Sequence, residues 1–358
     1  MPDLTDIVSK VVSWADSDEQ IEAYAAWDRE LAIRVYEGEI EQLTSAESSG
    51  IGIRVIRQGK QGFSYAGTLD DASLAEVLQE ARDNASFATS DEFAGLTDPD
   101  GVMPVELDLW RDGVSSTDTS TKIAMALDLE KQIRDSDKRI RQVESANYAD
   151  VAWEAAVAST SGVRAQGSGT GAYLHAYAIA QEDGDVRTGG GYSVGREPSE
   201  LSVEEASSDS VTRATRLLGA VKPRSGRMVA IFDPRISASL LSIVAGTLSG
   251  EAVEKGRSLF TGRLGEQVAD SGITIVENPT DARAYMASRF DAEGLASRKT
   301  ILVEGGILLG YLYDSYSARR AGTRSTASAC RGGYATTPGV GFKAISCTPG
   351  ERSQSDII

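Results

Sequence analysis

The sequence contains a single histidine, His175, among its 358 residues. This chain alone therefore cannot form the common metal sites that need more than one imidazole. These are a His-Glu-x-x-His zinc helix, a three-histidine zinc site and a two-histidine iron site. A zinc site built from His175, Cys330 and Cys347 is arithmetically possible. These three residues lack the paired spacing that normally holds metal ligands together, and the sequence therefore disfavours metal hydrolysis by this polypeptide alone.

The few imidazole and thiol groups also offer little for nucleophilic catalysis. His175 lies in residues 171–180, where side chains alternate as on a strand, which favours a histidine on the face of a sheet. No Gly-x-Ser-x-Gly elbow that would present a serine to this histidine is expected in the chain. No base is visible beside Cys330 or Cys347, so neither thiol has a reason to ionise at neutral pH. A stand-alone serine or cysteine peptidase is therefore disfavoured.

Basic residues are also scarce: 36 Lys and Arg against 53 Asp and Glu give a formal net charge of −17. Such a surface repels phosphate, and the densest basic stretch, residues 134–141, is interrupted by Asp135 and Asp137, so no direct nucleic-acid binding is expected. No apolar run approaches the roughly 18 residues of a membrane-spanning helix, and the first ten residues lack the pattern of a secretory signal. Two cysteines are too few for a disulfide framework, which favours a cytoplasmic protein with reduced thiols.

The order of the predicted elements indicates an α+β fold in which helices cover antiparallel sheets. Apolar spacing predicts a helix over residues 4–14, an antiparallel meander over residues 31–65, and a helix that begins at Asp70 or Ser73. A segment rich in Asp, Ser, Thr, Gly and Pro then predicts a connector. The expected division is an N-terminal α+β region (1–90), a connector (91–120), a central α+β region (121–222) and a β-rich C-terminal domain (223–358).

The central region carries two glycine-rich segments and a helix start. Residues 167–171 and 189–191 are predicted to form turns between strands. The second segment resembles a phosphate-binding loop only superficially, because no Lys-Ser/Thr ending and no following helix accompany it. Ser202 and Glu205 form a capping box, which predicts a helix that continues to Leu218.

The C-terminal region opens with a predicted strand over residues 228–232. Asp233 and Pro234 then mark the start of a helix. The apolar residues of this helix predict that it is buried: Ile236, Leu240, Ile243, Val244 and Leu248. Further strands are predicted over residues 273–276, 300–303 and 307–312, the last two joined as a hairpin.

Several segments in a fixed order give the chain a specific resemblance. These are ESSGIGIRV at 47–55, GKQGF at 59–63, KGRSLFTGRLGE at 255–266, FDAEG at 290–294, GILLGYL at 306–312 and DSYSAR at 314–319. The chain resembles the TldD/PmbA family, also called modulator of DNA gyrase proteins. The resemblance implies an α+β N-terminal region and a β-rich C-terminal domain that work together in a heteromeric cytosolic peptidase.

The resemblance also locates the family's zinc helix. In a TldD-type subunit this helix has the form His-Glu-x-x-x-His, and the matching stretch here places Leu241 and Gly246 at the imidazole positions and Ser242 at the carboxylate position. No ligand is present there, so the resemblance implies a metal-free PmbA/TldE-type subunit, with zinc held only by a TldD-type partner. Four charged residues that follow could line a cleft, although exposed helix-end side chains are favoured: Glu251, Glu254, Lys255 and Arg257.

The favoured function is therefore a noncatalytic subunit in the proteolysis of peptides or unfolded proteins. The alternative is a non-hydrolytic binding module that modulates DNA gyrase or a toxin-antitoxin target. The family normally continues through further glycine-rich strands beyond the final residues, 355–358, so a truncated sequence is expected.

Overall fold

The computed structural model describes residues 3–357 and shows the predicted mixed α+β fold with antiparallel sheets. The helices are α1 (Leu4–Ser13), α2 (Asp71–Phe87), α3 (Gly113–Ser116), α4 (Thr119–Ser136), α5 (Val203–Thr215), α6 (Pro234–Thr247), α7 (Gly250–Glu254), α8 (Ser315–Arg320) and α9 (Gln354–Ile357). The first six strands are β1 (Gln20–Tyr36), β2 (Glu39–Arg57), β3 (Lys60–Ala66), β4 (Ile140–Ser159), β5 (Arg164–Glu182) and β6 (Asp185–Gly195). The later strands are β7 (Ile275–Glu277), β8 (Thr300–Glu304), β9 (Ile307–Leu308), β10 (Ala329–Cys330), β11 (Gly339–Val340) and β12 (Ile345–Cys347).

The first six strands form one long antiparallel sheet in the order β3-β2-β1-β4-β5-β6. The predicted meander of the first three strands is confirmed. Strand β1 also pairs with β4 along most of its length. The strands of the N-terminal and central regions therefore share a single sheet.

One face of this sheet is covered by helices because apolar residues recur at every second position of β1. Ile21 and Ala23 pack with α1 and α2 over one end, and Ile33 and Val35 pack with α4 and α5 over the other. We call the opposite surface the helix-free face. No helix in the described part of the chain has both the length and the apolar character needed to cross a membrane.

The helix starts predicted from capping residues are confirmed. The carboxylate of Asp70 accepts a hydrogen bond from the backbone N–H of Ser73 at 3.0 Å, and α2 follows. The hydroxyl oxygen of Ser202 accepts one from the backbone N–H of Glu205 at 3.1 Å, and α5 follows. Helix α5 ends at Thr215, three residues before the predicted Leu218.

The two glycine-rich segments were wrongly predicted as turns, since residues 167–171 lie inside β5 and residues 189–191 inside β6. In β6 the glycines permit close packing of α5 on the sheet. A Cβ atom on Gly189 would lie 2.2 Å from the backbone nitrogen of Ala214, and one on Gly191 would lie 2.0 Å from the carbonyl oxygen of Ala206. Close approach between backbones, rather than a turn, therefore explains these glycines.

The C-terminal region contains only short strands. A four-stranded sheet in the order β12-β7-β8-β9 and a two-stranded sheet of β10 and β11 surround a separate apolar core. The predicted hairpin is confirmed, and it joins β8 to β9 through Gly305 and Gly306, whose φ angles are +54° and +79°.

Helix α6 begins where the sequence predicted, but its predicted burial is wrong. Asp233 caps the helix and Pro234 occupies its first turn. Ile236, Leu240 and Ile243 are 51%, 43% and 67% exposed. Helix α6 packs on the C-terminal core through one side only, and apolar content alone does not reveal how many sides of a helix are covered.

The strand predicted over residues 228–232 is also absent. This segment is exposed and pairs with no strand among the described residues. An apolar run can form a strand only where a neighbouring strand satisfies its backbone groups, and none is placed beside this segment.

A long segment without regular structure, residues 88–112, connects the N-terminal helices to α3. Arg319 of α8 holds this segment against the C-terminal region. Its guanidinium donates hydrogen bonds to the carbonyl oxygens of Phe93 at 2.7 Å and Gly95 at 2.8 Å. The hydroxyl of Tyr316 donates to the carboxylate of Asp91 at 2.7 Å. The connector is therefore fixed to the molecule by side chains of α8.

Candidate functional site

Helix α6 carries the three residues that the sequence aligned with a zinc helix. Leu241 is partly buried and packs towards the C-terminal core, whereas Ser242 and Gly246 are exposed. The hydroxyl of Ser242 donates to the carbonyl oxygen of Ala238 at 3.0 Å, a bond within the helix. An aliphatic side chain and a glycine offer no donor atom to zinc, so these positions do not fit the metal.

The four charged residues that follow α6 all lie at the surface. Glu251 and Glu254 belong to α7, Lys255 caps its C-terminal end, and Arg257 follows. The ammonium of Lys255 donates to the carboxylate of Glu251, four residues earlier. Glu251 also lines a cavity near α8. Within residues 3–357, no group of three His, Cys, Asp or Glu side chains is placed so that it could hold a metal ion.

His175 lies in β5 on the helix-free face of the sheet, where strand alternation placed it. Its ring contacts the side-chain amide of Asn147, at 3.4 Å from Nδ1, and the ring of Tyr177. Burial lowers the pKa of His175, and the nearby Arg235 lowers it further. Its surroundings are those of a neutral sheet-face histidine.

The sequence does contain one Gly-x-Ser-x-Gly segment, residues 191–195, which the sequence-based interpretation overlooked. Its Ser193 lies inside β6 instead of on a strand-to-helix elbow, and its hydroxyl oxygen accepts a hydrogen bond from the backbone N–H of Ser202 at 3.0 Å. Ser193 pairs with Leu174, whereas His175 pairs with the adjacent Tyr192, so Ser193 and His175 lie on opposite faces of the sheet. They cannot act together as nucleophile and base.

The two cysteines lie apart and both are free thiols. Cys330 is half-buried in β10, and burial raises the pKa of its thiol. Cys347 is exposed at the end of β12. A raised pKa keeps the Cys330 thiol protonated at neutral pH, which makes it a poor nucleophile.

The structure does bring together a set of charged side chains where the helix-free face meets the C-terminal region. We call it the buried ionic cluster, and its members are Glu22 of β1, Arg54 of β2, Glu293, Asp314 and Arg331. The guanidinium of Arg54 lies 2.7 Å from the carboxylate of Glu22 and 3.7 Å from that of Glu293. Arg331 forms a second ion pair with Glu22 and stacks on the ring of Tyr24.

Hydrogen bonds complete the cluster. Glu293 accepts one from the backbone N–H of Ser315 at 2.9 Å, and Asp314 accepts one from the backbone N–H of Ser317 at 2.8 Å. The cluster therefore ties β1 and β2 to the start of α8. Paired charges in a dry interface fix the relative position of the groups that carry them.

The charges of the cluster shift the pKa values of its acids in opposite directions. Burial alone would raise the pKa of Glu22, but the guanidinium groups of Arg331 and Arg54 outweigh burial and lower it. Burial raises the pKa of Glu293, an effect that Arg54 offsets only in part. Burial and the negative charge of Glu293 raise the pKa of the neighbouring Asp291 to about 7. The pKa of Asp291 thus lies well above the ordinary range of an aspartate.

The sequence did not predict this cluster, although three segments that carried the resemblance meet in it. Arg54 lies in residues 47–55, Glu293 in 290–294 and Asp314 in 314–319. The one local signal was a charged Arg54 inside an apolar strand. That signal predicts a buried partner but cannot identify one, because the partners lie in distant parts of the chain.

Two cavities flank the cluster. The first, which we call the Arg319 cavity, has a volume of about 420 Å³ and includes Arg54, Asp314, Arg319 and Glu251 in its lining. The second, which we call the Lys343 cavity, has a volume of about 350 Å³ and lies between the helix-free face and loops of the C-terminal region. Both are concave sites at a junction between regions, where proteins commonly bind ligands.

The fold and the site together define a class: an α+β protein of three regions in which side chains of the long sheet and of the C-terminal region meet in a buried ionic cluster. Family models for PmbA/TldA metallopeptidases match each region. Domain 1 matches residues 21–85, the central domain residues 112–218, and the C-terminal domain residues 225–358. The chain belongs to the PmbA/TldD metallopeptidase family.

Individual relatives agree with this assignment. Metalloprotease PmbA of Escherichia coli O157:H7 is 27% identical to this chain over the matched part. That part covers 82% of this chain and 65% of the length of that protein. An uncharacterized protein of Methanocaldococcus jannaschii is 31% identical over 84% of this chain and 68% of its own length. The crystal structure of TldE from Thermococcus kodakarensis superposes with a TM-score of 0.85 at 20% identity, covering 98% of this chain and 79% of that one. This last match concerns the fold alone.

Proposed function

We propose that this chain is a PmbA/TldE-type, noncatalytic subunit of a cytoplasmic metallopeptidase complex that cleaves peptides or unfolded proteins. In this proposal a TldD-type partner supplies the zinc. The observation that supports it is the composition of α6: Leu241, Ser242 and Gly246, the residues that the resemblance aligns with the two ligands and the base of a His-Glu-x-x-x-His helix, offer no metal ligand.

Zinc peptidases need a metal-bound water and a carboxylate that accepts its proton. Helix α6 offers an aliphatic side chain, a hydroxyl that bonds within its own helix, and a glycine. A chain that keeps three peptidase domains without these groups can contribute substrate binding and shape, while the bond-breaking step occurs on the partner. Strands β3 and β6 form the two edges of the long sheet, and an extended peptide would pair with one of these edges.

The test combines this chain with a TldD-type chain that carries His-Glu-x-x-x-His and follows cleavage of a fluorescent unfolded peptide. We expect cleavage only when both chains are present, and loss of cleavage when a chelator is added. A partner with glutamine in place of the glutamate of its motif should abolish cleavage. Ser242→Ala in this chain should leave the rate of the complex within about twofold, since its hydroxyl bonds only within α6.

Three results would refute the proposal. They are cleavage of the peptide by this chain alone, the full rate of cleavage by the partner alone, and the absence of a complex between the two chains. The alternative function, modulation of DNA gyrase or a toxin-antitoxin target without hydrolysis, is not favoured by the comparisons, because the matching family models are metallopeptidase domains.

A further inference from the structure

The Lys343 cavity combines apolar walls with cationic side chains. Its floor is the helix-free face, where Trp153, Ala155 and Val157 of β4 contribute apolar surface beside Tyr24 of β1. Its opposite wall comes from loops of the C-terminal region and includes Phe290 and Phe342. At about 350 Å³ the cavity has room for one apolar side chain together with a small polar head group.

Lys343 is a mostly buried cation whose hydrogen-bonding capacity is not filled. Its ammonium donates one hydrogen bond, to the carbonyl oxygen of Phe290 at 2.8 Å. An ammonium has three N–H donors, and among the described residues no carboxylate reaches ion-pair distance from this one. Burial lowers the pKa of Lys343, and the negative charges of Asp291 and Glu277 offset this effect only in part.

The two acids closest to Lys343 already accept hydrogen bonds from the backbone. Glu277 accepts from the backbone N–H groups of Lys343 at 2.7 Å and Ala344 at 3.1 Å. Asp291 accepts from the backbone N–H groups of Glu293 at 2.9 Å, Leu295 at 3.0 Å and Ala329 at 3.2 Å. Neither carboxylate is therefore free to turn towards the ammonium without breaking these bonds.

Arg289 supplies a second unfilled donor in the lining of the same cavity. Its terminal nitrogen Nη2 pairs with the exposed carboxylate of Glu106 at 2.6 Å. Its Nε atom is buried and has no hydrogen-bond partner among the described residues. A buried N–H without a partner costs about 1–3 kcal/mol, so a ligand that accepts from it gains binding energy.

We propose that the Lys343 cavity binds a carboxylate attached to a small apolar group, and specifically the C-terminal end of a peptide. The carboxylate would accept hydrogen bonds from Lys343 and Arg289, and the last side chain of the peptide would rest on Trp153 and Val157. The choice of a peptide as the source of the carboxylate rests on the proposed function. The presence of an anion site rests only on the unfilled N–H donors of Lys343 and Arg289 and on the apolar walls.

The test measures binding of N-acetyl-alanyl-leucine to the full chain by isothermal titration calorimetry, with the corresponding C-terminal amide as the uncharged comparison. We expect the acid to bind at least about tenfold more tightly than the amide. Lys343→Met should reduce the affinity for the acid to that for the amide. Lys299→Met, which removes an exposed lysine, is the matched control and should leave both affinities unchanged.

Equal affinities for acid and amide, or an undiminished affinity in Lys343→Met, would overturn the proposal. If Lys343→Met does not fold, Ala155→Phe decides the question, because it fills the cavity floor and leaves the ammonium in place. Loss of acid binding in Ala155→Phe supports the proposal, and retention of binding refutes it. Hexanoate separates the two sources: weaker binding than the peptide acid supports a peptide terminus, and equal binding refutes it.

This experiment uses the chain alone and involves no hydrolysis. Its failure would leave the subunit assignment untouched, and failure to form an active complex would leave the binding result untouched.

Discussion

Arg54 is a charged side chain within an apolar stretch of β2, and two acids compete for it in the interior. Replacing it with methionine keeps much of its volume but leaves Glu22 and Glu293 with less compensation in a dry site. We expect Arg54→Met to lower the free energy of unfolding by about 3–5 kcal/mol, measured by chemical denaturation. Arg34→Met, the matched control, removes one partner of an exposed ion pair with Glu41. It should change the free energy of unfolding by less than about 1 kcal/mol. Similar effects for both variants would show that the buried ionic cluster does not hold the long sheet and the C-terminal region together.

Asp291 gives the molecule an unusual dependence of stability on pH. Its pKa is about 7 in the folded protein, against an ordinary value of about 3.9, so the folded state keeps a proton that the unfolded chain releases. The raised pKa of Asp291 stabilises the folded state fully below about pH 4, and this contribution is lost as the pH rises to about 7. The slope is at most about 1.4 kcal/mol per pH unit for one proton. Acids with a lowered pKa, such as Asp137 at about 2, stabilise the folded state above about pH 4 and lose this contribution as the pH falls towards 2, so they do not change the slope between pH 5 and 7.

Glu293→Gln tests this contribution, because the negative charge of Glu293 helps to raise the pKa of Asp291. Denaturation of the unmodified chain at pH 5, 6 and 7 should show falling stability, and the fall should be shallower in Glu293→Gln. Glu251→Gln, a change at an exposed glutamate, should keep the slope of the unmodified chain. Parallel curves for Glu293→Gln and the unmodified chain would contradict the shift assigned to Asp291.

The packing of α5 on β6 depends on every second glycine of the strand. Gly189 and Gly191 face α5, whereas Gly190 faces the opposite side of the sheet. A methyl group on Gly191 would meet the carbonyl oxygen of Ala206 at 2.0 Å, whereas one on Gly190 would meet only the ring edge of the exposed Tyr177 at 2.8 Å. We expect Gly191→Ala to lower the free energy of unfolding by about 1–3 kcal/mol or more, because α5 must move away from the sheet. Gly190→Ala, the neighbouring residue on the opposite face, should cost clearly less because Tyr177 can rotate. If Gly190→Ala proves equally costly, the approach of α5 to the sheet does not explain the cost, because strand propensity alone favours alanine over glycine.

Elements with local signals were predictable from the sequence, and elements defined by their neighbours were not. The caps at Asp70, Ser202 and Asp233 are decided within one helical turn, and each helix begins where its cap predicts. The burial of α6 depends on what surrounds it. The glycines of β6 looked like turn residues because the approach of α5, which forces them, involves a separate segment of chain. The buried ionic cluster combines residues from both ends of the sequence, which neither periodicity nor composition can connect.

At the scale of the whole molecule, the family assignment and the chemistry of α6 point to different roles. The three regions match metallopeptidase domains, yet the residues of α6 that the resemblance aligns with a zinc helix offer no metal ligand. Catalysis by a partner chain, as proposed above, would explain this difference. The zinc content of the isolated chain can be measured without knowing the substrate.

The most direct measurement is the zinc content of the purified chain after equilibration with excess zinc and removal of unbound metal, together with its rate of peptide cleavage. The proposed function predicts well under one zinc per chain and no cleavage that a chelator removes. One tightly held zinc per chain, accompanied by cleavage that disappears on chelation and returns with zinc, would contradict it.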